Sequence, residues 1–457
     1  HERKARDDGG DGILAVAGLD HAPHDRADAF RRRLAECEPA QVESLIAFTS
    51  QAYRRPLTEA ESQGLRQLYA DLRREELPHD DAWRLMLARI LVSPAFLYRI
   101  EKPGQGGAHQ PVSAHELATR LSYFLWSSQP DEELRQVAAS GKLMETEQLL
   151  AQTRRMLHNP RSRRLATEFA CQWLHIYDFD RLDEKSERHF PSFAGLRGAM
   201  YEESILFFAD LFQHNGRVID ILDADYTFLN EPLAKHYGIP NVAGAEWRRV
   251  EGVKQHSRGG ILGQATTLAK QSGASRTSPI LRGNWISEVL LGERLPRPPK
   301  GVPQLPEDET ATEGLTVRQL VEKHSSDPKC AVCHVRVDPL GFALESFDAI
   351  GGRREKDLGN RPIDTATTTM DGSKIDGLSG LRDYLLTVRR DAFMRQFCKK
   401  LLGYALGRSI QLSDELLLAE MQKVLKQNDY RIEPLMETIV SSSQFRHIRG
   451  LDAASDE

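Results

Sequence analysis

Hydrophobic positions recur along this chain with the period of a helix. Between Asp80 and Ser93, Trp83, Met86, Leu87, Ile90 and Leu91 fall at i, i+3, i+4, i+7 and i+8, and Pro94 closes the run. Ile432, Leu435, Met436, Ile439 and Val440 repeat that spacing. Phe393, Phe397, Leu401 and Tyr404 make another stripe, and Tyr201, Ile205, Phe208 and Phe212 a fourth. One-sided apolar stripes must bury against neighbours, so the pattern predicts a mainly α, multidomain helical assembly. Strand signals are thin: ADYTFLN can pair locally, but there is no βαβ rhythm.

Three breaks interrupt the helical pattern. EKPGQGGAHQP (101–111) reads as a linker. RLPRPPKGVPQLPEDETATEG (294–314) is proline-rich and reads as an extended surface strap. GGRREKDLGNRPIDTATTTMDGSKIDG (351–377) reads as a long polar loop. The breaks predict an N-terminal helical domain over 1–103, a central one over 112–293, the strap over 294–314, a domain over 315–390 and a C-terminal helical domain over 391–450.

Composition narrows the class. The 457 residues are 40% hydrophobic and 28% charged, with a formal net charge of −5. That balance supports a real core and gives no basic footprint for nucleic acid. No apolar run reaches the roughly 18–20 residues that cross a bilayer. The charged start, HERKARDDGG, lacks the apolar stretch of a signal peptide and reads as a mature or trimmed beginning. Five cysteines are too few for a disulfide scaffold. Cys37, Cys171 and Cys398 are each expected to be buried structural thiols.

The other two cysteines carry chemistry. In DPKCAVCHVRVDPLGFALESFDAIG, Cys330 and Cys333 stand one helical turn apart and His334 follows directly. Covalent haem attachment needs two thiols for the two vinyl groups and an imidazole that reaches the iron from the same turn. A zinc site would ask for a second ligand pair, and only His324 lies nearby. A redox dithiol would ask for a βαβ setting. The motif therefore predicts one covalently attached haem c, with His334 as the proximal iron ligand. The sixth position stays open between Met370, His256, His324 and no protein ligand at all. A filled position serves electron transfer; an empty one admits oxygen or peroxide.

Other dense segments bear on the same cofactor. RGGILGQATTLAKQSGASRTSPILRGNW (258–285) makes Arg258, Arg276 and Arg282 candidates for the haem propionates, against a role in internal capping and pairing. Phe342, Leu344 and Phe347 are expected to line the haem crevice. Asp338, before Pro339, reads as a turn former. Asp338, Glu345 and Asp348 are expected to be structural rather than acid–base groups. Hydrolase, zincin and dinucleotide motifs are missing. Asp223, Asp225 and Asn230 depart from an EF-hand loop.

From Cys37 to Phe445 the chain resembles the planctomycete-type multidomain cytochrome c proteins, assembled from serial domains of unknown function. The markers are AYRRPLTEAE (52–61), LATRLSYFLWSSQPDEEL (117–134), DADYTFLNEPLAKHYGI (223–239), the 258–292 segment, CAVCHVRVDPLGFALESFDAIG (330–351) and KLLGYALGR (400–408). The resemblance implies export, to the periplasm or cell surface, and haem at Cys330, Cys333 and His334. It implies no settled enzymatic activity. Many such proteins have an additional N-terminal cytochrome domain, which is not in this sequence. The family often has a cysteine after the one matching Cys37; QVESLIAF lacks it, so that disulfide is not expected. The leading expectation is a mono-haem electron-transfer protein with a redox partner protein and no known small-molecule substrate. A peroxidase or oxidase with an open distal site is the alternative, and a surface or carbohydrate-associated protein with an accessory haem is a third.

Overall fold

In a computed structural model, which describes residues 22–104, 106–296, 305–310, 312 and 314–450, the apolar stripes become buried helix faces and the protein is mainly α. The charged N-terminal start and residues 297–304, 311 and 313 of the proline-rich segment lie outside the described residues.

Backbone contacts divide the chain into two units, one ending at Ile100 and one beginning at Glu101. The first packs helices α1 (Ala22–Ala52), α2 (Glu59–Arg74) and α3 (His79–Leu91) around Val42, Leu45, Ile46, Met86 and Ile90. Thr58 and Glu61 form a capping box that starts α2, satisfying two backbone donors that a helix N-terminus leaves orphaned. Cys37 departs from expectation. It lies on α1 before the first buried position, Val42, and its thiol is exposed. Cys171 and Cys398 are buried as expected.

The second unit has one large core. It is built on α4 (Ala114–Trp126), α5 (Phe193–Gln213), α6 (Pro279–Trp285), α7 (Val317–Ser325), α8 (Pro328–Phe342), α9 (Arg390–Leu406), α10 (Glu415–Gln427) and α11 (Ile432–Ser441). Residues of 112–293, 315–390 and 391–450 all contribute to that core, so these segments are woven together. The two ends of this unit also meet. Strand β1 (His109–Pro111) pairs antiparallel with β6 (His447–Arg449), and Arg120 donates to the carbonyls of Phe445 and His447. The local pairing of ADYTFLN is present: β2 (Tyr226–Leu229) runs antiparallel to β3 (Arg248–Glu251). The 351–377 segment is more ordered than its polarity suggests. It contains a hairpin, β4 (Ala366–Thr368) with β5 (Lys374–Asp376), and Asp371 holds the turn by accepting from Thr369 and Ser373.

Two glycines fix the position of α8. A Cβ on Gly341 would stand 1.9 Å from the Pro279 carbonyl oxygen, and one on Gly283 would stand 1.9 Å from that of Val337. The backbones of α6 and α8 therefore cross in direct contact, which only glycine permits there. Pro339 sits inside α8 without ending it.

Candidate functional site

Helix α8 carries the C-x-x-C-H run. Asp327 caps its N-terminus by accepting from the Lys329 amide, and Pro328 occupies the first turn, where its missing N–H costs nothing. Cys330 and Cys333 are half-buried free thiols. Cys330 precedes His334 by one helical turn, so the two share a face.

His334 is held by its own helix. Its Nδ1 lies 2.9 Å from both carboxylate oxygens of Asp338, which is 8% exposed. A carboxylate accepts, so Nδ1 is the donor of this pair, and Nε2 is the ring nitrogen left to meet a metal. Burial pushes the Asp338 carboxyl above its ordinary range, and the hydrogen bond from His334 draws it back. Asp338 is thus a partner of the histidine within the helix, not a turn former: α8 continues through Pro339 to Phe342.

A cavity of about 720 Å³ opens beside this histidine, within the size range of cofactor sites. Its apolar lining includes Ala331, Val335, Pro339, Phe342 and Ile375, and its polar lining includes Arg318, His334, Asp338 and Lys374. Neither cysteine is among the lining residues, which lie along the 331–334–335–338 stripe of α8. The β4–β5 hairpin forms part of the wall. Arg318 lies 4.8 Å from the Phe342 ring centre and donates to Asp364 and to the Ala366 carbonyl, tying α7 to that hairpin.

The remaining sequence candidates separate. Phe342 lines the cavity; Leu344 and Phe347 are buried in the large core. Met370 sits in the turn of the hairpin and is 65% exposed. His324, on α7, meets His334 edge-on with ring centres 5.1 Å apart. Two imidazoles on opposite sides of one iron need about 6 Å between centres, from a metal–nitrogen bond of about 2.0–2.1 Å and the ring radius. His324 as placed leaves no room for that. His256 lies in the 3-10 turn after β3 and is not among the cavity residues.

Arg258, Arg276 and Arg282 do not line the cavity either. Arg282 is fully buried and donates to the carbonyls of Leu344, Phe347 and Asp348, with Glu345 at 3.3 Å. Arg276 donates to the carbonyls of Pro306 and Thr277. Arg258 donates to Gly263 and lies 3.8 Å from the centre of the Tyr237 ring. Glu345 accepts from Thr277 and Arg354, and Asp348 accepts from the amides of Ile350 and Gly352. These groups brace the segment that follows α8. Sequence reasoning did not single out the cations that do border the cavity, Arg318 and Lys374. The alternation of Thr367, Ile375 and their neighbours was the available signal for the hairpin that brings Lys374 there.

A second cavity, about 550 Å³, is lined by Arg161, Arg163, Arg164 and Arg181 but also by Glu168, Asp178 and Asp180. Its charges nearly cancel. Among the described residues no group of three or more His, Cys, Asp or Glu side chains is arranged to hold a bare metal ion, and no helix is long and apolar enough to cross a membrane.

Four family models match the chain in series, each described as a protein of unknown function: DUF1595 over residues 40–101, DUF1592 over 112–239, DUF1588 over 258–357 and DUF1585 over 371–445. The chain therefore carries the four serial domains of planctomycete-type multidomain proteins, families associated with cytochrome c-like proteins. The C-x-x-C-H helix falls within the DUF1588 match. No curated protein and no solved structure matches the chain.

Proposed function

We propose that the protein is an exported mono-haem electron-transfer protein, with haem c joined to Cys330 and Cys333 and His334 as the proximal ligand. The observation that carries this reading is the His334–Asp338 pair beside a 720 Å³ cavity: the motif's imidazole has Nδ1 tied back and Nε2 free. The residues on α8 fit the group's attachment: two half-buried thiols stand one turn apart beside His334. The cavity is bordered by His334 and by neither cysteine; there Phe342, Val335 and Ile375 would offer apolar contact to a macrocycle, and Arg318 and Lys374 positive charge to propionates, alongside the carboxylates Glu322 and Asp376. When bound, the haem supplies one-electron chemistry; the chain holds it, orients the imidazole and sets its surroundings.

Met370 is the distal candidate carried by the hairpin whose strands line the cavity, although it is not itself a lining residue. Its exposure supports a second reading, in which the sixth position is open and the protein handles peroxide or oxygen. Carbon monoxide added to the reduced, haem-loaded protein separates the two. Electron transfer predicts a six-coordinate spectrum that changes little, and a Met370→Ala variant that binds carbon monoxide readily. Rapid binding by the unmodified protein contradicts the carrier reading.

A further inference from the structure

Asp338 does more than fill space next to His334. Its carboxylate is 8% exposed, and both oxygens lie 2.9 Å from a single ring nitrogen. Spacing i to i+4 on one helix puts donor and acceptor on the same face without help from a loop. The crossing of Gly283 and Gly341 with their partner backbones holds that helix in place. Among the described residues no other side chain donates to the Asp338 carboxylate. His324 stands against the ring from α7 and limits its rotation.

A charged acceptor on the far nitrogen of a ligating histidine raises the donor strength of the near one, because the N–H bond is polarised toward the carboxylate. A stronger donor favours the more positive oxidation state of the metal. A backbone carbonyl in the same position polarises the ring less. Second-sphere hydrogen bonding of this kind is one of the means by which a protein sets a haem's potential.

We propose that Asp338 is a positioning residue of the proximal side: it fixes the Nδ1–H tautomer of His334, makes that imidazole a strong donor and stabilises ferric over ferrous iron. The proposal rests on the haem reading above.

The test compares the full-length, haem-loaded protein with Asp338→Asn and Asp338→Glu. Asparagine keeps an acceptor oxygen but removes the charge; glutamate keeps the charge one methylene further out. Two quantities are read: covalent haem by intact mass and midpoint potential by spectroelectrochemical titration. The expected result is covalent haem in all three proteins, a higher midpoint potential in Asp338→Asn, and a return toward the original value in Asp338→Glu. Covalent haem with an unchanged potential in Asp338→Asn overturns the role of Asp338 and leaves the haem reading standing. Original protein that gains no haem mass overturns the haem reading and this proposal with it. Nitrogen NMR of the haem-free chain gives an independent check. His334 should be protonated on Nδ1 in the original protein and mixed in tautomer in Asp338→Asn; a mixed tautomer in both refutes the proposal.

Discussion

Replacing Gly341 by alanine should damage the second unit although it adds only one methyl group to a helix. Alanine in a helix interior ordinarily gains about 1 kcal/mol over glycine. At Gly341 the added Cβ meets three backbone atoms of Pro279, at 1.9 Å from the oxygen, 2.5 Å from the carbon and 2.7 Å from Cα. Carbon–oxygen contact distances are near 3.4 Å, so α6 and α8 must part by about 1.5 Å, and no rotamer change relieves backbone. Overpacking costs about 1–3 kcal/mol when side chains can adjust, and here they cannot. The net expectation is a loss of at least about 2 kcal/mol. Gly198→Ala on α5 is the matched control. That site has no atom within 4 Å of the added Cβ, so the same substitution should stabilise by about 0.5–1 kcal/mol. Urea unfolding followed by tryptophan fluorescence measures both. Gly341→Ala as stable as the original protein would refute the close crossing that positions the C-x-x-C-H helix.

Three further outcomes follow from the same geometry. Arg282→Ala strips several buried carbonyls of their donor, while Glu345 keeps Thr277 and Arg354, and should cost about 2–4 kcal/mol, read by the same unfolding curve; an effect confined to haem spectra would instead favour a propionate contact. In the folded, haem-loaded protein a maleimide should label Cys37 alone, since Cys171 and Cys398 react only after unfolding; labelling of either buried thiol in the native state contradicts their placement. Glu203 is fully buried, accepting from Thr227 at 2.6 Å and Tyr237 at 2.5 Å, and burial pushes its carboxyl from 4.5 to about 7. The native state thus keeps a proton that the unfolded chain loses above pH 4.5, so stability is greatest below that pH and falls as pH rises through about 7. At about 1.4 kcal/mol per tenfold the difference amounts to about 3 kcal/mol, and Glu203→Gln should remove it from the stability-against-pH curve; an unchanged curve contradicts a protonated Glu203.

The helices were legible because each shows its buried face as a stripe, and four stripes from Trp83 to Val440 all map onto helices. The C-x-x-C-H run was legible as chemistry because thiols and imidazole sit within five residues. What joins distant segments was not. The pairing of His109–Pro111 with His447–Arg449, and the weaving of 112–293, 315–390 and 391–450 into one core, depend on contacts that leave no local pattern. The arginine-rich 258–285 segment looked suited to an anion, but its guanidiniums meet internal carbonyls instead, and Arg258 keeps two of its buried nitrogens and Arg282 one without a hydrogen-bond acceptor. Asp338 before Pro339 imitated a turn, but that stretch is helical, and the i to i+4 spacing brings the carboxylate onto His334. Cys37 misled for the opposite reason: α1 is apolar on one side only from Val42 onward, and the thiol precedes that region.

The central claim is that Cys330 and Cys333 hold a haem whose iron His334 ligates. It is tested most directly by producing the protein in a host with competent haem c maturation, denaturing it, and recording its mass and its reduced pyridine spectrum. The account predicts one haem that remains with the denatured chain, lost when Cys330 and Cys333 are both replaced by alanine. A chain that leaves the same host without covalent haem, or keeps haem after both cysteines are removed, contradicts it.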